Sequence, residues 1–136
     1  MNKFLLIDEF WQWNPVSLID AREWAIARFG YKWLLPDQEV EVYRAFMAYK
    51  REQRVFLYLG KKGYLTRKTT PYEDIRNKVD LVAHRDGTMF FVQVKSPIDF
   101  MSPKELSEFS IYCHNKKAKG LLAVVNKNSI SIRRIR

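Results

Sequence analysis

Cysteine is almost missing: Cys113 is the one thiol in 136 residues. A single thiol excludes an internal disulfide framework, a four-cysteine zinc site and a cysteine-ligated iron–sulfur cluster. It makes a reducing, cytoplasmic or otherwise intracellular compartment the expectation. Histidine is also scarce. Neither His84 nor His114 has a cysteine or a second histidine at ligand spacing, so zinc is not suggested. No apolar run approaches the roughly 20 residues that a membrane-crossing helix needs, and no membrane is expected as a partner. The opening residues reach Asp8 and Glu9 too soon for a secretory signal. No glycine-rich phosphate loop is present, which argues against nucleotide-driven chemistry. There is no internal repeat and no low-complexity stretch.

What is present is a globular composition with one sign of charge in excess. Hydrophobic residues make up 47% and charged residues 29%, a balance that supports a packed core rather than disorder. Lysine and arginine number 24 against 15 aspartates and glutamates, a net charge of +9. Residues 1–40 carry four basic and six acidic side chains, whereas 41–136 carry 20 basic and nine acidic. A segment that basic suits a polyanion such as nucleic acid. The alternative reading is a solvated, soluble surface. All four tryptophans, Trp11, Trp13, Trp24 and Trp33, fall in the acidic part. The expected organisation is therefore an aromatic-rich extension over 1–40, used for packing or dimerisation, and a basic domain over 41–136, together one compact domain.

Periodicity supplies the elements. Phe4–Ile7 is a short apolar run. Ser17 is a candidate cap for a helix carrying Leu18, Ala21, Ala25 and Phe29, which stops at Gly30. A second helix is expected from about Glu39 to Lys62, ended by Gly63. Within it Glu52, Val55, Phe56 and Leu59 share one face. A carboxylate heading an apolar stripe is unusual. Either it is buried for a purpose, or it sits at the edge of the stripe and reaches solvent. After Gly63 the pattern turns extended. Tyr64–Arg67, Val79–Ala83, Met89–Lys95, Leu121–Val125 and Ser129–Arg133 read as strands, with Asp86-Gly87 as a tight hairpin turn. Ser102-Pro103-Lys104-Glu105 reads as a capping box opening a helix with Leu106, Phe109, Ser110 and Cys113 on one face. Cys113 is thus a core residue. The order gives an α/β sandwich: a central mixed sheet flanked by helices, α-β-β-β-α-β-β, after an extra N-terminal helical segment.

Pairing the hairpin around Asp86-Gly87 brings Asp80 roughly opposite Gln93 and Lys95, which share a strand face at i and i+2. One carboxylate, one amide oxygen and one ammonium then lie together. Hard oxygen donors suit a divalent cation, and an ammonium suits developing negative charge. Phosphodiester hydrolysis uses such a set. Taken singly, each residue also reads as an ordinary strand-end or turn residue.

The string Lys78-Val-Asp-Leu-Val-Ala83 followed by Phe90-Phe-Val-Gln-Val-Lys95 resembles the core motif of the PD-(D/E)XK nuclease superfamily. Residues 52–125 are similar, more narrowly, to archaeal-type Holliday junction resolvases. There a helical glutamate precedes Gly-Phe/Tyr, a strand ending in arginine, a small polar loop and Val-Asp-Leu-Val-Ala. Here these places are held by Glu52, Gly63-Tyr64, Arg67, Thr69 and Thr70, and Asp80. The resemblance implies a restriction-endonuclease-like core. It also implies a Mg2+-dependent endodeoxyribonuclease, with Mn2+ able to substitute, that cuts four-way junctions as a homodimer and leaves 5′-phosphates. Asp80, Gln93, Glu52 and the Val94 carbonyl become metal ligands, and Lys95, Glu52 and Asp80 the catalytic set. Arg67, Lys68, Thr69, Thr70, Lys61, Lys62, Arg76 and Lys78 become DNA contacts. The family usually carries glutamate where this chain has Gln93, a residue that offers an oxygen without a charge. Glu73 and Asp74 are the alternative extra acids. Two rival readings stay open: another nuclease of the superfamily, of restriction or repair type, or a DNA-binding module that cuts nothing.

Overall fold

The computed structural model describes residues 3–30, 32–70, 78–99 and 101–135. Its elements run α1 (Lys3–Trp13), α2 (Leu18–Phe29), α3 (Pro36–Lys61), β1 (Leu65–Lys68), β2 (Leu81–Arg85), β3 (Thr88–Lys95), α4 (Pro103–Asn115), β4 (Lys119–Val125) and β5 (Ile130–Ile135). The chain divides into two compact units, Met1–Lys50 and Arg51–Arg136. The division falls inside α3 rather than at the expected 40/41. The reason is packing: Val42, Ala45, Phe46 and Tyr49 join the same core as Leu6, Ile7 and Phe10 of α1 and Ala21 and Ala25 of α2.

The first unit is a cluster of rings and small residues. Phe10 meets Trp24, Phe46 and Tyr49 edge to face at centroid distances of 5.7, 6.4 and 6.1 Å, a favoured aromatic geometry. Phe4–Ile7, read as a short apolar run, is part of a full helix whose buried residues are Leu6, Ile7 and Phe10. The expected Ser17 cap is present, its hydroxyl accepting from the Asp20 N–H at 3.1 Å. Gly30 closes α2 at φ 71°, a conformation that costs glycine little. Trp13 and Trp33 are exposed.

The second unit is a five-stranded sheet in the order β1-β2-β3-β4-β5. Only β3 and β4 are parallel, and α4 makes the crossover a parallel pair needs. The β2–β3 hairpin closes on Asp86 and Gly87 with φ of 52° and 76°. Two consecutive left-handed residues give the turn whose twist matches paired strands. The capping box forms as expected: Glu105 N–H donates to Ser102 Oγ at 3.1 Å, and Ser102 N–H donates to Glu105 Oε1 at 3.4 Å. Helix α4 lays Phe109 and Cys113 on Val82, Phe91 and Leu122. Gly120 permits this close approach, because a Cβ there would stand 3.0 Å from Phe109 Cε1. The end of α3 covers the other face, where Leu59, Leu121 and Ile132 line a common cavity of about 210 Å³. Helices on both faces of a mixed sheet match the expected architecture.

Candidate functional site

The site lies in the second unit, at the start of β2 and the end of β3. Lys78 enters it in the left-handed region, φ 59°, a conformation that costs a non-glycine residue energy and recurs at functional sites. Asp80 does not belong to the regular part of β2. Its N–H donates to the Val92 carbonyl at 2.9 Å, although the register partner of Val92 is Leu81. Two residues therefore oppose one, the pattern of a β-bulge. The bulge re-aims the Asp80 side chain, and its Oδ2 accepts the Val94 N–H at 2.7 Å. The carboxylate takes the place of a ladder carbonyl, in the plane of the sheet. The short, charge-assisted bond fixes its orientation.

Thr69 ties β1 to the same segment. Its N–H donates to the Asp80 carbonyl at 3.2 Å, and its hydroxyl lies 2.6 Å from the Val79 carbonyl and 2.9 Å from that of Asp80. Lys68 pairs with Leu81 in register. Its Nζ lies 3.0 Å from Glu52 Oε1 and 3.3 Å from the Asp80 carbonyl. Glu52, in the stripe it shares with Val55 and Leu59, is 4% exposed, so it is buried and does not reach solvent. The polar residues buried in the chain's described part are Glu52, Thr69, Asp80 and Gln93. All four belong to this region.

Alternation along β3 puts Gln93 and Lys95 on the face of Phe91, whose ring stacks on Tyr112 of α4 at 5.4 Å. Glu52 and Lys68 thus approach the strand ends from the α3 side, and Gln93 and Lys95 from the α4 side. Asp80 lies in the plane between them. Contacts join Glu52, Lys68, Thr69, Asp80 and Val94. No hydrogen bond among the described residues reaches Gln93 Oε1, which is buried, and Lys95 is half-buried. Val94, whose carbonyl is the expected ligand, gives its N–H to Asp80. Arg67, Thr70, Lys61, Lys62 and Lys78 are exposed. Arg76, Glu73 and Asp74 lie outside the described residues.

Among the described residues, no three or more histidine, cysteine, aspartate or glutamate side chains gather as a metal cluster. The donors here are instead two carboxylates and an amide oxygen. Hard oxygens of this kind suit magnesium, and the partnerless Gln93 Oε1 is the atom that such an ion would satisfy.

Sequence reasoning missed two features. One is the role of Lys68 as the partner of Glu52. The signal available was Glu52 itself, since a carboxylate on a buried stripe calls for a cation or for hydrogen-bond donors. The other is the Asp80 bulge, for which the sequence carried no glycine or other marker.

The five-stranded mixed sheet with helices on both faces has the restriction-endonuclease-like fold. Among solved structures, the chain is similar to Archaeoglobus fulgidus Hjc, a Holliday junction resolvase from an archaeal hyperthermophile. The TM-score is 0.53 at 16% identity, over 63% of this chain and 70% of that one. A second solved structure, SSO0001, aligns over 97% of this chain and 76% of its own at 10% identity, with a TM-score of 0.36, too loose to define a fold. No family model matches the sequence, and no curated protein matches it. Among the described residues, no helix is long and apolar enough to cross a membrane.

Proposed function

We propose that this chain is a divalent-metal-dependent endonuclease acting on DNA, with the four-way junction as its preferred substrate. One observation supports the reading: Glu52, Asp80 and Gln93 are buried, and among the described residues Gln93 Oε1 has no hydrogen-bond partner.

Asp80, Gln93 and Glu52 would hold Mg2+ or Mn2+. A bound divalent ion supplies charge that polarises the phosphodiester and acidifies the attacking water. The Val94 N–H keeps the Asp80 carboxylate in one orientation, which preorganises the site. Lys95 orients the attacking water and stabilises charge on the phosphate oxygens. Attack at phosphorus breaks the bond to O3′ and leaves a 5′-phosphate. Lys61, Lys62, Arg67, Thr70 and Lys78, all exposed, contact phosphates, together with Arg76; of the other two expected contacts, Thr69 is buried and Lys68 is turned to Glu52, so neither is included. Two nicks resolve a four-way junction, so a homodimer is the working assembly, and the aromatic-rich N-terminal part contributes to packing or to that interface. The family resemblance supports the junction, and the basic balance of 41–136 supports DNA.

The second reading, a module that binds DNA and cuts nothing, draws support from Gln93 and from the ion pair that engages Glu52. Incubation with a four-way junction, and separately with matched linear duplex, in Mg2+ or Mn2+ decides between them. Cutting that favours the junction is expected, with Asp80→Asn inactive. Metal-dependent cutting of linear duplex at the same rate would replace the junction by another nuclease substrate. No cutting of any DNA in either metal would leave the binding module.

A further inference from the structure

Glu52, Asp80, Lys68 and Gln93 together carry one net negative charge. Glu52 and Asp80 bring two negative charges, Lys68 brings one positive charge, and Gln93 brings none. Lys68 is no solvated surface lysine. Its side chain is 10% exposed, its partner's 5%, and they meet at 3.0 Å. The same ammonium lies 3.3 Å from the Asp80 carbonyl, so it spans Glu52 on α3 and the bulge on β2.

We infer that Lys68 is a resident cation that satisfies Glu52 when no metal is bound and thereby weakens the site's affinity for a divalent ion. This inference rests on the metal-dependent reading above. The physical argument is local electrostatics. A fixed positive charge a few ångströms from an incoming dication opposes it strongly where water is excluded. Glu52 also has to exchange one cation for another, so its bond to Lys68 is subtracted from its bond to the metal. Gln93 acts in the same direction, because an amide lacks the charge of the family's glutamate. Lys68 is a positioning residue here. It holds Glu52 and the Asp80 segment together. A phosphodiester entering the site brings negative charge and oxygen ligands, which tips the balance back toward the dication.

The test is calorimetric titration of Mn2+ into the full-length, DNA-free protein, read as affinity rather than activity. Lys68→Met is expected to bind Mn2+ at least about tenfold more tightly than wild type. Lys68→Arg keeps the charge and should stay near wild type. Glu52→Gln in the Lys68→Met background should lose most of the gain. Gln93→Glu, which leaves the ion pair in place, should tighten binding by itself and serves if Lys68→Met fails to fold. Lys127→Met, at an exposed position with no role in the site, controls for overall charge and should change little. Equal affinity in wild type, Lys68→Met and Gln93→Glu would overturn the inference while leaving a metal site standing. A gain that survives removal of the Glu52 charge, or that Lys127→Met reproduces, would also overturn it. Absence of Mn2+ binding in every variant would sink the metal-dependent reading itself.

Discussion

The buried pair of Glu52 and Lys68 makes a strong, calculable demand on stability. Removing one partner leaves a charge in a place that excludes water, typically at a cost of about 3–5 kcal/mol. A ceiling follows from protonation. A stranded carboxyl escapes by taking up a proton. From an ordinary pKa of about 4.3, at about 1.4 kcal/mol per pH unit, that escape costs about 3.7 kcal/mol at pH 7. At pH 5 the same escape costs only about 1 kcal/mol. Lys68→Met should therefore lose up to about 3.7 kcal/mol at neutral pH and recover most of it in mild acid. The loss therefore grows as pH rises above the ordinary carboxyl range. With a urea slope of about 2 kcal/mol per molar, the neutral-pH loss is a midpoint shift of about 2 M. The double variant Glu52→Leu/Lys68→Met removes both charges and should recover much of the loss. Far-ultraviolet circular dichroism in urea is the assay. Tryptophan fluorescence is unsuitable, because all four tryptophans lie in the Met1–Lys50 unit. A Lys68→Met loss below about 1 kcal/mol at pH 7, or one that does not shrink at pH 5, would refute the reasoning, as would strictly additive single losses in the double variant.

Four further outcomes are expected. Asp80→Asn keeps an oxygen to accept the Val94 N–H, now 2.7 Å from Asp80 Oδ2, so it should fold normally and bind DNA while cleavage is abolished. Binding loss equal to the cleavage loss would contradict the role. Gly120→Ala places a Cβ 3.0 Å from Phe109 Cε1 and 3.3 Å from Cys113 Sγ, both on buried side chains. Such overpacking should cost about 1–3 kcal/mol, and an unchanged urea midpoint would show that α4 can shift freely. Burial pushes the Cys113 thiol up to about 11, so it should resist thiol reagents at pH 8 until the protein unfolds. A raised folded pKa also means stability is kept below the ordinary thiol range and lost as pH climbs toward about 11. Cys113→Ala should be spared that share of the alkaline loss, read from urea midpoints at pH 8 and pH 10. Finally, DNA affinity should fall steeply with salt if Lys61, Lys62, Arg67 and Lys78 meet phosphates, since each contact releases counterion. An affinity that is flat between low and moderate salt would remove those contacts.

Most of the fold was legible because local signals and global packing agree. The Asp86-Gly87 turn, the Ser102 capping box, the Ser17 cap and the alternation of strands each act within a few residues, and each forms as expected. α1 was only partly legible. Leu6, Ile7 and Phe10 have helical spacing, but Phe4–Ile7 is continuously apolar, so the first residues of α1 resemble a short extended run. The division of the chain was hidden for a different reason. α3 carries one continuous helical pattern, and which core its Val42–Tyr49 stretch joins depends on residues far away in sequence. The site divides along the same line. Glu52, Asp80 and Gln93 were visible as a stripe, a strand entry and an alternating pair, and all three are buried. The bulge at Asp80 and the partnership of Lys68 with Glu52 were not visible. Both depend on how β1, β2 and α3 meet in space, which no local period encodes. Yet the composition of the stripe already contained the demand. A carboxylate set among Val55 and Leu59 calls for a cation or for hydrogen-bond donors, and Lys68 Nζ, 3.0 Å from Glu52 Oε1, supplies positive charge there. A divalent ion held by Glu52 would have to compete with that ammonium.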